Sequence, residues 1–181
     1  MNYKGKSRRM PNWDYAGKGS YFITFCVHNR ECLFGHIKNQ TMILNEFGEI
    51  AFHEWKKSGI LRSELELREF VIMPNHIHGI IIMKPGITKL ISNKQQKGLV
   101  RKPKSISSFI AGYKSSVTSK INKIIEAKGT SIPIYNNENK LWQNNYHDHV
   151  IRNQEEYQKI KYYILNNPKL WLDDKFFLPQ T

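Results

Sequence analysis

Apolar residues recur with two different periods along this chain, and each period predicts one kind of element. In residues 20–29 the β-prone residues Tyr21, Ile23 and Phe25 stand at every second position, as is typical of a strand. The same argument predicts further strands at 41–44, 65–72, 76–83 and 146–151. Apolar residues at helical spacing predict helices at 46–57, 105–128 and 154–167, the first and last preceded by Asn45 and Asn153 as N-caps.

This order of elements predicts a single α+β domain. Hairpin strands interrupted by helices are typical of an antiparallel sheet with helices packed on it. We expect the domain to span residues 20–170, between a basic, flexible N-terminal arm at 1–19 and a C-terminal tail at 171–181. Within the domain, the polar segment 84–104 contains Gly and Pro and is expected to be a loop.

The charge is concentrated in two parts of the chain. The protein has 28 Lys and Arg against 15 Asp and Glu, a net charge of +13. Residues 1–44 carry a net +5 and residues 80–130 a net +10, whereas residues 131–181 are neutral overall. A polyanion is therefore a plausible partner, although the basic segment 84–104 is equally compatible with a solvated linker.

Composition excludes several classes of protein. Hydrophobic residues make up 40% of the chain, too many for wholesale disorder. The two cysteines, Cys26 and Cys32, are too few for a disulfide scaffold or a Cys-rich zinc module. The sequence contains neither an apolar run of about 18 residues nor the apolar centre of a signal peptide, so we expect a cytoplasmic protein.

The pair His76 and His78 is a candidate metal site. On a strand, side chains at positions i and i+2 point to the same face, so the two imidazoles should project together. Imidazole nitrogen is a common ligand of divalent metals. Two partly buried histidines satisfied by hydrogen bonds would explain the same short pattern.

A tyrosine and an asparagine on the last predicted helix are the second candidate pair. Tyr163 and Asn167 are four residues apart and lie together along one edge of the helix's buried stripe, at the border of the core. The alternative is a core-edge tyrosine beside an asparagine that helps to end the helix before Pro168.

The chain contains other tyrosines and histidines that could compete for these roles. Tyr113 lies on the apolar stripe of its helix and is interpreted as core, and Tyr162 points about 100° away from Tyr163 around the helix. His147 and His149 repeat the His-x-His pattern on a predicted strand, where they suggest a polar or polyanion-facing edge more than a second metal site.

Three segments in this order resemble a known family. They are MPNHIHGIII, LWQNNYHDHVIR and EEYQKIKYYILNNP. Together they are similar to the single-tyrosine HUH transposases of the IS200-like type, in particular the branch of REP-associated tyrosine transposases. The resemblance runs from the YFITF strand to the NNP sequence and is poorest in the basic loop and after Pro168.

The resemblance implies a fold, an activity and a set of site residues. The fold is a ferredoxin-like or RRM-like antiparallel sheet with helices packed on one face. His76, His78 and Asn167 match the ligands of a divalent metal ion, Mg or Mn, and Tyr163 matches the nucleophile. Family members cut single-stranded DNA near hairpins through a 5′-phosphotyrosine intermediate, and they act as homodimers or as monomers.

With DNA as the expected partner, the basic residues become candidate phosphate contacts. Those selected are Lys4, Lys6, Arg8, Arg9, Lys94, Lys97, Arg101, Lys102, Lys104 and Arg152. Two alternative functions remain open from the sequence. One is a nucleic-acid-binding module without catalysis, and the other is a metal-dependent phosphodiesterase that uses water, for which Tyr163 would be dispensable.

Overall fold

The structure, a computed structural model, describes residues 18–84 and 104–177. Its strands are β1 (Gly19–Cys26), β2 (Gly35–Lys38), β3 (Thr41–Leu44), β4 (Leu65–Ile72), β5 (His76–Met83) and β6 (His147–Ile151). Its helices are α1 (Glu46–Leu61), α2 (Ile106–Lys128) and α3 (Gln154–Asn166), with short 3₁₀ helices at His28–Arg30 and Asn167–Asp173. Residues 1–17 of the predicted arm and 85–103 of the predicted basic loop lie outside the described residues, and Gly19, which was assigned to the arm, begins β1.

Four strands form one sheet in the order β4-β5-β1-β6, and every pair in it is antiparallel. β2 and β3 form a separate hairpin. In the sheet, Thr24 of β1 is paired with His78 of β5 on one side and with His147 of β6 on the other. The α+β class and the antiparallel sheet are therefore confirmed.

One face of the sheet carries the larger core, under α1 and α2. Phe25 of β1, Trp55 of α1 and Tyr113 of α2 meet there with ring centroids 5.4 to 6.4 Å apart. Gly79 of β5 is required by this packing, because a Cβ at that position would lie 2.6 Å from the Trp55 ring. Tyr113 is fully buried and its hydroxyl donates to the carbonyl of Ala51, as its interpretation as core requires.

The opposite face carries α3 and a smaller cluster. Ile164 of α3 packs with Ile80 of β5 and Ile151 of β6. The helices were expected to pack on one face of the sheet, but α1 and α2 pack on one face and α3 packs on the other. Residues 171–177, assigned above to a tail, contribute the buried side chains of Trp171 and Phe176 to this side. Among the helices described, none is both long and apolar enough to span a membrane.

Candidate functional site

Alternation along β5 turns two histidines toward α3. His76, His78 and Ile80 share the face that α3 covers, whereas Ile77 and Gly79 point into the larger core. Both imidazoles are buried, and their ring centroids are 4.5 Å apart. The predicted pair is therefore a pair in space, held by a central strand of the sheet.

Hydrogen bonds orient both imidazole rings. Asn75 donates through Nδ2 to two backbone carbonyls, so its Oδ1 accepts from Nδ1–H of His76 at 2.8 Å. That bond leaves Nε2 of His76 as the nitrogen with a lone pair, and this buried atom has no hydrogen bond of good geometry within the described residues. Thr24 Oγ1 also forms a hydrogen bond with His78, 2.7 Å from Nδ1, and so fixes the orientation of that ring.

Tyr163 reaches the pair from α3. Its Oη lies 3.2 Å from Nε2 of His78 and donates to Oδ2 of Asp174 at 3.3 Å. The neighbouring Tyr162 is 69% exposed, as the helical angle between the two residues predicts. α3 therefore presents one tyrosine hydroxyl to the histidines and turns the other to solvent.

Asp174 joins the site from the segment after α3. Its Oδ2 also accepts from Nδ2 of Asn167 at 2.9 Å, and its Oδ1 accepts from the backbone N–H of Phe176. Ligand atoms of His76, His78 and Asp174 all lie within 4.8 Å of one another. Asp174 is the site residue that sequence reasoning missed; its only signal was an Asp-Asp pair downstream of NNP, and no periodicity links it to the histidines.

Burial sets the ionisation of these groups. It lowers the pKa of His76 to about 4, partly opposed by Asp174, and it lowers that of His78 well below its usual value, helped by the neighbouring His76. Both imidazoles are therefore neutral at pH 7 and able to coordinate a cation. Burial and the Asp174 carboxylate raise the pKa of Tyr163 to about 12, so the phenol is protonated in the resting protein.

The donor set fits a divalent cation. Nε2 of His76 and Oδ1 of Asn167 are buried and form no hydrogen bond of good geometry within the described part of the chain, although the Asn167 side chain is close enough to His76 to influence its pKa. Such atoms are costly unless something binds them, and the adjacent Asp174 carboxylate supplies negative charge. A mixed set of nitrogen and oxygen donors suits Mn²⁺, and it is also compatible with Mg²⁺ or Zn²⁺.

Only two of the predicted phosphate contacts lie within the described residues. Lys104 and Arg152 are exposed, at the start of α2 and just after β6. The other predicted contacts, Lys4, Lys6, Arg8, Arg9, Lys94, Lys97, Arg101 and Lys102, lie outside the described residues. They stay predictions.

The second His-x-His pair shares the face of the first. His147 and His149 of β6 flank Thr24 and Phe22 of β1, which lie opposite His78 and Ile80. Nε2 of His149 is engaged with a carboxylate oxygen of Glu156 at 2.6 Å. The pair therefore borders the site but is not part of its cluster of possible metal ligands.

A solved structure of another protein shares the fold of this chain. A REP-associated tyrosine transposase solved bound to a REP hairpin aligns with a TM-score of 0.54 and 19% identity, over 89% of this chain and 73% of that chain. A provisionally assigned transposase from Deinococcus radiodurans R1 aligns with a TM-score of 0.46 and 14% identity, over 88% of this chain and 97% of that one. The first alignment shows a shared fold, and the second adds no argument to it.

Sequence comparison gives a nearer relative. No family model matches the chain. A protein of Haemophilus influenzae, described as uncharacterized, is 36% identical over 178 residues, which cover 96% of this chain and 93% of that protein. Identity at this level over nearly the whole of both chains indicates common descent and a common fold. The chain therefore belongs to the same family as this Haemophilus influenzae protein.

Proposed function

We propose that the protein is a metal-dependent transposase that nicks and rejoins single-stranded DNA, with Tyr163 as the nucleophile. The observation that carries the proposal is the position of the Tyr163 hydroxyl, 3.2 Å from His78 and hydrogen-bonded to Asp174 in the same cluster as His76. A binding module has no need of a partly buried phenol beside two neutral imidazoles and a carboxylate. The shared fold with a tyrosine transposase supports the same conclusion.

The proposed reaction conserves the energy of the phosphodiester bond. Tyr163 Oη attacks phosphorus, the bond to the 3′ oxygen breaks, and a 5′-phosphotyrosine and a free 3′ hydroxyl result. Attack of a 3′ hydroxyl on the phosphotyrosine then rejoins a strand, and no nucleotide cofactor is consumed. When bound by His76, His78 and an oxygen of Asn167 or Asp174, Mg²⁺ or Mn²⁺ supplies Lewis-acid polarisation of the phosphate.

Asp174 has a defined part in this scheme. Because the pKa of Tyr163 is raised to about 12, its proton must leave as attack proceeds. Asp174 Oδ2 already accepts that proton in a hydrogen bond of 3.3 Å. Asn167 and the backbone of Phe176 hold the carboxylate in place through its two oxygens.

The proposed substrate is single-stranded DNA that carries a hairpin. The REP-associated tyrosine transposase with the shared fold was solved with a REP hairpin, and this chain has a net charge of +13. Basic residues of the 1–19 arm and the 84–104 loop, together with Lys104 and Arg152, are proposed to contact its phosphates. The enzyme would act in the cytoplasm, as a monomer or a homodimer.

One experiment tests the proposal against its alternatives. Purified protein is incubated with Mn²⁺ or Mg²⁺ and hairpin-bearing single strands labelled at the 5′ or 3′ end, and covalent adducts are separated by denaturing electrophoresis. We expect an adduct with the label 3′ of the cut, formed by native protein and by Tyr162→Phe but not by Tyr163→Phe. Tyr162→Phe is the matched control because it removes the exposed hydroxyl one residue away.

The other outcomes each contradict the proposal. Cleavage that survives Tyr163→Phe would favour a phosphodiesterase that uses water, since the group of His76, His78 and Asp174 could also bind a metal for that reaction. Hairpin binding without cleavage in either metal would favour a module without catalysis.

A further inference from the structure

A cavity of about 400 Å³ lies beside the site, on the half of the sheet face that α3 leaves uncovered. α3 packs mainly against β4 and β5, and the cavity lies over β1 and β6. Its lining includes Phe22 and Thr24 of β1, His149 of β6, and Arg30, Lys175 and Phe176 from the flanking segments. We call it the flanking cavity.

The flanking cavity shares a wall with the proposed nucleophile. The ring of Phe22 is stacked on that of His78, with centroids 5.2 Å apart, and meets the edge of the Tyr163 ring at 6.1 Å. Thr24 lines the cavity and also bonds to His78. A group bound in the cavity would therefore lie one aromatic ring away from the reacting hydroxyl.

Two cations stand over one aromatic ring at the other wall. Nζ of Lys175 is 4.8 Å and the guanidinium carbon of Arg30 is 5.6 Å from the centroid of Phe176. The Arg30 guanidinium also donates to the carbonyl of Lys175 at 3.2 Å, which ties the two together. Paired cations of this kind bind phosphate oxygens through charge-assisted hydrogen bonds.

The aromatic and cationic walls together define what the flanking cavity can hold. Asp148 is also in the lining, but alternation along β6 turns its side chain to the opposite face of the sheet, with Ile23. Its carboxylate therefore does not oppose an anion in the cavity. The ring of Phe22 and the cations of Arg30 and Lys175 suit a ligand with one flat end and one anionic end.

We propose that the flanking cavity binds a single nucleotide of the DNA strand, next to the phosphate that Tyr163 attacks. Its base packs against Phe22 and its phosphate meets Arg30 and Lys175. The volume is within the usual range of about 300–1,000 Å³ for small-ligand pockets, which admits one nucleotide. This inference rests on the proposed function only for the position of the nucleotide beside the cut. That the cavity binds a nucleotide follows from its lining alone.

The first test measures binding without cleavage. Full-length Tyr163→Phe protein is titrated into a 5′-fluorescein-labelled 12-residue oligothymidylate, and fluorescence anisotropy is followed at several salt concentrations. We expect Lys175→Gln to weaken binding severalfold and to reduce the slope of affinity against salt by about one unit, as loss of one phosphate contact does. Lys169→Gln is the matched control, because it removes an exposed lysine six residues away that does not line the cavity.

The aromatic wall is tested in the same assay. We expect Phe22→Leu to weaken binding about tenfold, since base stacking on an aromatic ring contributes roughly that much. Phe47→Leu makes the same change at a partly buried position of α1, away from the cavity, and should bind as the parent does. If Phe22→Leu fails to fold, as circular dichroism would reveal, Lys175→Gln decides the question because that side chain is exposed.

A final step places the nucleotide. On a hairpin substrate whose cut has been mapped through the Tyr163 adduct, an abasic residue is moved along the strand on either side of the cut. One position next to the cut should weaken binding in the parent but not in Phe22→Leu, because both changes remove the same contact.

The outcomes separate this inference from the proposed function. If adducts form but Lys175→Gln and Phe22→Leu bind like their controls, the nucleotide site is wrong and the proposed function stands. If no substrate gives an adduct, the proposed function fails, and the oligothymidylate titration still decides whether the flanking cavity binds a nucleotide.

Discussion

The two faces of the sheet differ in kind, although the same strands build both. Under α1 and α2, β5 contributes Ile77, Gly79 and Ile81 to a continuous apolar core. Toward α3 the same strand contributes His76 and His78, which meet Tyr163 and Asp174. Because side chains alternate along a strand, the eight residues of β5 supply both core residues and site residues. The close-packed core on one face therefore holds the site residues on the other face in fixed positions. Changes on one face should therefore affect stability, and changes on the other should affect activity.

The largest expected effect is on the polar face. His78→Ala removes a proposed metal ligand and the nearest neighbour of the Tyr163 hydroxyl. We expect adduct formation in Mn²⁺ to fall by about a thousandfold, which corresponds to about 4 kcal/mol of transition-state stabilisation. The rate of adduct formation and the urea midpoint of unfolding are measured on the same variant. If unfolding accounted for the whole loss of activity, the two faces would not differ in function.

The matching change on the apolar face is Gly79→Ala. Its Cβ would lie 2.6 Å from the Trp55 ring, so we expect overpacking to cost about 1–3 kcal/mol of the free energy of unfolding. Urea denaturation measures it. Gly112→Ala in α2 is the control, because its Cβ meets only the end of the Arg62 side chain, at 3.0 Å, and a helical Gly→Ala change is otherwise favourable. Equal destabilisation by both variants would contradict the packing argument.

Acid should weaken the two faces in different ranges of pH. Burial lowers the pKa of His76 from 6.5 to about 4, so the unfolded chain takes up that proton first and stability falls as pH drops from 6.5 toward 4. At the α1–α2 interface, burial alone would raise the pKa of Glu54, but hydrogen bonds from Lys120 and Ser116 outweigh it and lower the pKa below 4.5. The stability contributed by Glu54 is present above pH 4.5 and is lost as pH falls through its folded-state pKa.

Metal-free protein in EDTA, unfolded by urea at a series of pH values, separates these contributions. We expect His76→Gln to reduce the fall between pH 6.5 and 4 without abolishing it, because the lowered pKa of His78 also makes stability fall in this range. Glu54→Gln should reduce the fall below pH 4.5. Glu126→Gln, at an exposed position near the end of α2, should leave both unchanged. If the free energy of unfolding of His76→Gln depended on pH as that of the native protein does, protonation of His76 would not destabilise the fold.

The smallest effects concern the helix caps. Asn45 Oδ1 accepts from the N–H of Gly48 at the start of α1, and Asn153 Oδ1 accepts from the N–H of Glu156 at the start of α3. Replacing either by Ala should cost about 1 kcal/mol. Because α3 fully buries only Ile164, loss of its cap should appear as faster hydrogen exchange confined to α3. Loss of the α1 cap should instead lower global stability, and exchange that rises equally everywhere in both variants would contradict this difference.

Periodicity predicted more of the fold than of the site. The strands at 65–72 and 76–83 and the cap Asn153 agree with the structure, since each depends on neighbours within a few residues. α1 continues to Leu61, four residues beyond its predicted end, where Arg62 N–H bonds to the carbonyl of Ser58. β2 was not predicted, because a strand of four residues, only half of them partly buried, has too little apolar pattern.

By itself, the sequence determined which side chains share an element face: His76 with His78 on a strand, and Tyr163 rather than Tyr162 on the inner side of a helix. These relations follow from backbone geometry alone. Only the tertiary structure decided that Asp174 completes the cluster, that Thr24 orients His78, and that Phe22, Arg30 and Lys175 surround one cavity. Those contacts join residues far apart in the chain, so burial and strand order create them, and no local period records them.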